Sequence, residues 1–358
     1  MIVYLVTSIS LLILGLIYES FNSLAADLRR KKLPISFFIV PSFLILFVIF
    51  AFRGDFTTDY KNYSDLFNIY NRYGFWEVFK AGFQVEPGYI FLNKLFGIFT
   101  DDVIYLFMFT SFVILFGFYY HINKYSVNVW LSILLFVTAG SYYASFNITR
   151  QIFAVAIIFF GSGFLYERKF FKFLFFVILA SLFHKTSLIM IPFYFILNFR
   201  LKLRNWVLII ISSGVVMFLF EDILTLALST IYDQYTENSY GMWGQAITNV
   251  VLPLAFLIFS IFNVKKLDPL NSAHRIWFNA IVFYAFFNIL ALQIEMVERF
   301  GRFFASYALL LIPYIFSKVK NKNLRFLYMM VLMCVLILYN YIVLADSVFD
   351  PYYFIWDK

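Results

Sequence analysis

The chain has 358 residues, 63% of them hydrophobic and only 13% charged. Soluble domains run nearer half apolar and about a quarter charged, so this balance excludes an ordinary globular protein and points to the bilayer. The formal charge of +8 does not mark a nucleic-acid partner. The basic residues fall in short clusters between apolar runs, the pattern of loops held at an anionic cytoplasmic leaflet.

In chain order, apolar runs suited to crossing the bilayer occupy 2–19, 35–52, 102–121, 127–143, 150–166, 170–183, 185–199, 205–220, 246–263, 276–294, 303–317 and 325–345. The sixth and seventh are short and are separated only by His184, which predicts a tight turn there. Gly88–Thr100 is too short for a span and reads as an interfacial or re-entrant segment. The fold class is therefore all-α: a polytopic membrane protein of twelve transmembrane helices in a single membrane domain, 1–358. Two longer loops, 53–101 and 221–245, have the aromatic spacing of short amphipathic helices. No basic residues precede the first run, so a cleavable signal peptide is not expected.

Lysine and arginine set the orientation. With Arg29, Arg30, Lys31 and Lys32 inside, alternate loops collect 18 of the 28 basic residues, and the opposite side collects 16 of the 20 acidic ones. Both termini are then extracytoplasmic, on the side of the two long loops. The single cysteine, Cys334, excludes an intrachain disulfide, and there is no Cys/His spacing for a metal.

The polar residues of the outer side fall into five groups. Arg53-Gly54-Asp55-Phe56-Thr57-Thr58-Asp59-Tyr60 is followed by Tyr63. Asp55 and Asp59 share a face on a helix and can serve as a general base or hold sugar hydroxyls. The same residues also read as a plain helix start, capped by Thr57, Thr58 or Asp59, with Arg53 at the headgroups. Glu86-Pro87-Gly88-Tyr89 precedes the half-span, where Glu86 can be a dipole partner or a base at the membrane surface. Asn147, Arg150 and Gln151 share one helical face, and an arginine at an outer helix N-terminus requires anionic compensation. The compensation can be an intramolecular salt bridge, lipid phosphate or a substrate. His184-Lys185-Thr186-Ser187 makes the hairpin between two short spans, placed for acid–base chemistry or a phosphate contact. Glu295–Arg299 and Glu298–Arg302 are i, i+4 pairs with the acid first, which can satisfy each other or line a cavity.

Arginine forks match phosphate oxygens, and they stabilise a departing diphosphate without a metal. The succession Arg53-Gly54, Thr58-Asp59-Tyr60, Tyr63, Glu86-Pro87-Gly88-Tyr89, Arg150-Gln151, His184-Lys185-Thr186-Ser187 and Glu298-Arg299-Phe300-Gly301-Arg302 resembles the EpsG-like branch of Wzy-type polysaccharide polymerases. That resemblance implies a glycosyltransferase of the bacterial inner membrane, in an O-antigen, capsule or exopolysaccharide pathway. It would join undecaprenyl-diphosphate-linked oligosaccharide units at the periplasmic or outer face, with no cofactor or metal. Its partners would be those lipid-linked donors and acceptors, membrane lipids and a chain-length regulator. The expected catalytic residues are Asp59, Glu86 and His184. The expected binding residues are Arg53, Tyr60, Tyr63, Tyr89, Asn147, Arg150, Gln151, Lys185, Glu298, Arg299 and Arg302. A flippase of lipid-linked saccharide is the alternative from another class, and it would need a charged path across the spans. Another membrane transferase, an acyltransferase or an O-antigen-ligase-like enzyme, is the third reading.

Overall fold

A computed structural model of the chain describes residues 1–27, 31–200, 203–219, 243–268, 270–292, 295–345, 347 and 349–357. The described residues form sixteen α-helices and three short 3-10 turns. The first half contains α1 (Ile2–Asp27), α2 (Ser36–Ala51), α3 (Thr58–Asn71), α4 (Pro87–Gly97), α5 (Ile104–Tyr125), α6 (Val129–Thr138), α7 (Ser141–Asn147) and α8 (Thr149–Tyr166). The second half contains α9 (Phe170–Ser181), α10 (Met190–Asn198), α11 (Leu203–Leu219), α12 (Trp243–Phe262), α13 (Ser272–Leu290), α14 (Glu298–Ala305), α15 (Ala308–Ser317) and α16 (Lys322–Leu344).

Among the described residues, four helices are long and apolar enough to cross a membrane, Ile2–Ala25, Ile104–Tyr125, Thr149–Tyr166 and Lys322–Leu344. Two bent pairs raise the number to six: α6 with α7 at 45°, and α14 with α15 at 42°. Ser36–Ala51, Phe170–Ser181, Lys185–Asn198 and Asn249–Phe262 are apolar but shorter. Each of the twelve runs read from the sequence overlaps a described helix, 127–143 and 303–317 overlapping the two bent pairs, while 220 and 293–294 lie outside the described residues. The chain is thus an all-α, multi-pass membrane protein with four to six helices that meet the length criterion. The turn expected at His184 is present: its amide closes on the Ala180 carbonyl at 3.0 Å, and a 3-10 turn, Lys185–Ile189, leads into α10. Of the long loops, 53–101 contains α3 and α4, whereas most of 221–245 lies outside the described residues.

Helices α6 and α15 are buried on all sides and α8 on most of its surface, which makes them the centre of the bundle. In lipid, apolar packing alone gives little preference for one neighbour over another, so interhelical hydrogen bonds of about 1 kcal/mol each help fix partners. Ser132 donates to the Leu309 carbonyl at 2.6 Å, joining α6 to α15, and Ser162 meets the Tyr307 hydroxyl at 2.8 Å. Tyr142 donates to the Leu46 carbonyl at 2.7 Å, joining α7 to α2. The peripheral helices show the reverse pattern. Ile9, Ile13 and Ile17 of α1, and Val331, Val335, Leu338 and Ile342 of α16, form exposed apolar stripes at helical spacing, suited to lipid.

Side-chain caps start several helices. Thr57 accepts from the Tyr60 amide, and Asn128, Asn271 and Asn321 accept at the starts of α6, α13 and α16. The two chain ends meet at one end of the bundle, where the Met1 ammonium lies 2.9 Å from Asp350. Nearby, Arg53 and Phe354 form an isolated antiparallel bridge, flanked by Gly54 N–H to the Tyr353 carbonyl at 2.7 Å. At the opposite end, the aromatic contacts Tyr125–Tyr166, Tyr166–Trp277 and His274–Tyr314 tie together the helix ends and turns that carry Lys124, Arg168, Arg275 and Lys318.

Candidate active site

Glu86 stands at the N-cap of α4 with Pro87 in the first helical position, where the missing N–H costs nothing. Its side chain makes no capping bond. One carboxylate oxygen accepts from Arg150 Nη1 at 2.7 Å. The other accepts from the Lys185 amide at 3.2 Å and lies 3.6 Å from His184 Nδ1. Gly88 makes this approach feasible: its amide donates to the Leu182 carbonyl at 2.8 Å, and a Cβ there would sit 2.6 Å from that oxygen. The backbone of α4 therefore lies directly against the His184 turn.

Arg150 begins α8, and its guanidinium also lies over the rings of Tyr63 and Tyr89, each at 5.6 Å. Tyr63 in turn donates to Asp59 Oδ2 at 3.1 Å. Asn147, at the end of α7, accepts from the Asp59 amide at 3.1 Å and from the Thr58 hydroxyl at 3.3 Å. Gln151 donates to the Arg299 carbonyl at 2.6 Å, bringing α14 beside α8. Glu298 and Arg302 form the expected i, i+4 pair at 2.5 Å, and Asn249 of α12 donates to the same carboxylate at 3.3 Å. The side chain of Glu295 lies outside the described residues.

Most of the residues singled out from sequence thus gather at one end of the bundle, on α3, α4, α8, α14 and the His184 turn. Lys185 contributes its amide while its side chain is exposed. Arg53 is the correction. Read as a headgroup or substrate contact, it is instead fully buried, donating to the Phe50 carbonyl at 2.7 Å and to Thr149 Oγ1 at 3.5 Å. Four rings surround it: Phe50, Phe107, Tyr60 and Phe146, at 4.8 to 5.7 Å. It ties α2 to α8 beneath the site, and Tyr60 is part of that cage. Asp55 is directed toward the C-terminal segment, where it accepts from the Tyr353 hydroxyl at 2.6 Å.

Burial shapes the electrostatics. Desolvation raises Asp59 above the usual carboxylate value, against the Tyr63 hydroxyl and the Arg150 charge. His184 is pushed down to about 3, by burial first and then by Arg150, Arg299 and Arg302. The Glu86 carboxylate is already committed to Arg150, so the imidazole stays neutral beside it. Both His184 ring nitrogens, Arg150 Nε, Thr186 Oγ1 and Ser187 Oγ are buried without a hydrogen-bond partner. Such atoms are rare in folded proteins and mark places where a polar ligand can be accommodated. Among the described residues no group of three or more His, Cys, Asp or Glu is gathered to hold a metal ion.

Several contributors were not singled out from sequence. Asn249 was visible only as a lone amide near the outer end of an apolar run, and Thr149 as the neighbour of Arg150. Lys94 is buried and donates to the Tyr70 and Tyr73 carbonyls at 3.2 and 2.8 Å, locking α3 onto α4.

A bundle of apolar helices with arginines, carboxylates and a neutral histidine gathered at one end defines a multi-pass membrane protein with a polar cluster at that end. The chain belongs to the EpsG family, a family of membrane proteins tied to exopolysaccharide synthesis, whose model matches residues 36–354. That match contains every candidate site residue. No curated protein and no solved structure matches the chain.

Proposed function

We propose that the chain is a polysaccharide polymerase, a glycosyltransferase that joins undecaprenyl-diphosphate-linked oligosaccharide units. The observation that carries this reading is Arg150, held by Glu86 and two tyrosines beside a neutral His184, with Arg299 and Arg302 near enough to act on that histidine. Arg150, Arg299 and Arg302 would hold the diphosphate, and His184 would orient a phosphate oxygen through one ring nitrogen. The acceptor hydroxyl attacks the donor's anomeric carbon. The bond from that carbon to the diphosphate oxygen breaks, and undecaprenyl diphosphate leaves with the electron pair. The hydroxyl proton passes to a carboxylate. Asp59 is the favoured base, since burial raises it above the ordinary carboxylate value, while Glu86 is held in an ion pair by Arg150.

A groove of about 280 Å³ supports a lipid-linked substrate. It is lined by Leu252, Phe256, Ile312, Leu332, Leu336 and Tyr339 and is almost wholly apolar. Tyr339 of its lining lies within electrostatic reach of Glu298. In this reading the chain is one membrane domain crossing twelve times, in a bacterial cytoplasmic membrane, with both termini and the site on the extracytoplasmic side. The test is the purified chain in detergent with lipid-linked repeat units, the products resolved on a gel. A ladder of lengthened chains is expected from the native protein, and single units only from Arg150→Ala. Transfer of the lipid across vesicles with no new glycosidic bond would instead establish a flippase.

A further inference from the structure

The end of the bundle opposite the Glu86–Arg150 site carries a second cluster of arginines. Helix α8 closes there with Lys169 N–H on the Phe164 carbonyl at 2.8 Å and Arg168 N–H on the Leu165 carbonyl at 3.2 Å. These are the two bonds of a Schellman closure, whose left-handed position is usually glycine. Arg168 holds it with φ 57°, a conformation that strains an L-residue. An arginine kept at a glycine position implies a use for its side chain.

Helix α13 shows what lies next to it. Ser272, Arg275 and Asn279 are spaced three and four apart, so they share one face. Ser272 donates to the Tyr166 carbonyl at 2.8 Å, two residues before Arg168. Asn279 donates to the Leu197 and Phe199 carbonyls at 2.9 and 3.1 Å, the latter one residue before Arg200. Arg275 therefore stands midway along a face clamped to both segments, and the charges of Arg168 and Arg200 act on it directly. Its Nε and Nη1 are buried without a hydrogen-bond partner. Among the described residues none of the three arginines has a salt bridge, and the nearby Glu167 is taken by Lys169 at 2.6 Å.

Three like charges brought together, with the donors of the central Arg275 buried and unused and those of Arg168 and Arg200 exposed beside it, are unfavourable unless an anion joins them, and guanidinium forks fit phosphate oxygens. We propose that Arg168, Arg200 and Arg275 form a binding site for a phosphate-bearing anion, with the headgroup of an anionic phospholipid as its occupant. The lipid source is favoured by the adjoining surface. Phe171, Phe195 and Phe199 are exposed beside the arginines and would lie along acyl chains, which a free phosphate lacks. The site is separate from the proposed glycosyl transfer and does not depend on it.

The test uses the full chain purified in detergent, with native mass spectrometry of bound dioleoylphosphatidylglycerol, dioleoylphosphatidylcholine or inorganic phosphate. Phosphatidylglycerol should bind in preference to phosphatidylcholine. Arg275→Gln and Arg168→Gly should each weaken it by about tenfold or more, the loss expected for a charged hydrogen bond. Glycine suits φ 57°, so Arg168→Gly should melt no lower than the native chain, which separates lost binding from lost folding if Arg275→Gln proves unstable. Inorganic phosphate that binds alone and displaces the lipid would keep the anion site and assign it a soluble occupant. Equal retention of both lipids, or unchanged phosphatidylglycerol binding in both variants, would overturn the proposal.

Discussion

Glu86 and Arg150 lie 64 residues apart in sequence and 2.7 Å apart in space, and their pair joins α4 to α8. Their side chains are 10% and 25% exposed, so each would be left as a poorly solvated charge if the other were removed. Glu86→Gln is expected to lower stability by roughly 2–4 kcal/mol and to reduce polymer formation. Arg150→Ala is expected to abolish long-chain polymer while the protein still inserts into membranes. Combining Glu86→Gln with Arg150→Gln should cost less than the sum of the single changes, since the two share one interaction. Thermal melts in detergent and product ladders measure both effects, and strict additivity would refute the coupling.

Gly88 controls how closely α4 approaches the His184 turn. In Gly88→Ala the new methyl would lie 2.6 Å from the Leu182 carbonyl and 2.8 Å from Leu182 Cβ. The expected cost is about 1–3 kcal/mol, typical of overpacking. Because the displaced element carries Glu86, polymer yield should fall further than that of a control variant matched in melting temperature.

Burial shifts two titrations in opposite directions, and both predict a loss in acid, one of stability and one of rate. His184 is held near 3 against its usual 6.5, so the unfolded chain binds its proton between those values while the folded chain does not. Its contribution to stability is complete above pH 6.5 and is lost as the pH falls toward 3. His184→Gln should therefore lose less melting temperature than the native protein on going from pH 8 to pH 5. Asp59 is raised above its usual 3.8, and as a base it works only when ionised. The polymerisation rate should fall as acid is added, with its midpoint above 3.8. In Asp59→Asn the residual rate should be low and should lack that limb.

Arg53 provides the contrast. Enclosed by rings and joined to the Phe50 carbonyl, it should act on folding and not on substrate affinity. Arg53→Met should lower stability by about 1–3 kcal/mol, the cost of leaving the buried Phe50 carbonyl without its donor, with the KM of the folded fraction unchanged. A raised KM at native stability would return Arg53 to the site.

The apolar runs, the turn at His184 and the Glu298–Arg302 pair were legible because each is a local pattern, read over one or two helical turns. The short helices of the first long loop were legible for the same reason, through the Thr57 cap and Pro87. The Glu86–Arg150 pair was not, since nothing local distinguishes an arginine that meets a carboxylate from one that meets a lipid phosphate. Arg53 misled for a related reason. An arginine at the end of an apolar run reads as a headgroup anchor, and only the assembled rings of Phe50, Tyr60, Phe107 and Phe146 reveal a buried cage. Arg168, Arg200 and Arg275 read as mere markers of sidedness until α13 brought them together.

Gly140 separates α6 from α7 with φ 85°, and a Cβ there would meet nothing within 4 Å. Space does not hold the residue to glycine; torsion does. From this elbow α7 extends seven residues to Asn147, a lever of roughly 10 Å at 1.5 Å per residue. Straightening its 45° bend would swing the tip by roughly 8 Å, carrying Asn147 out of reach of Thr58 and Asp59. One backbone angle thus sets the working position of the residue proposed to take the proton.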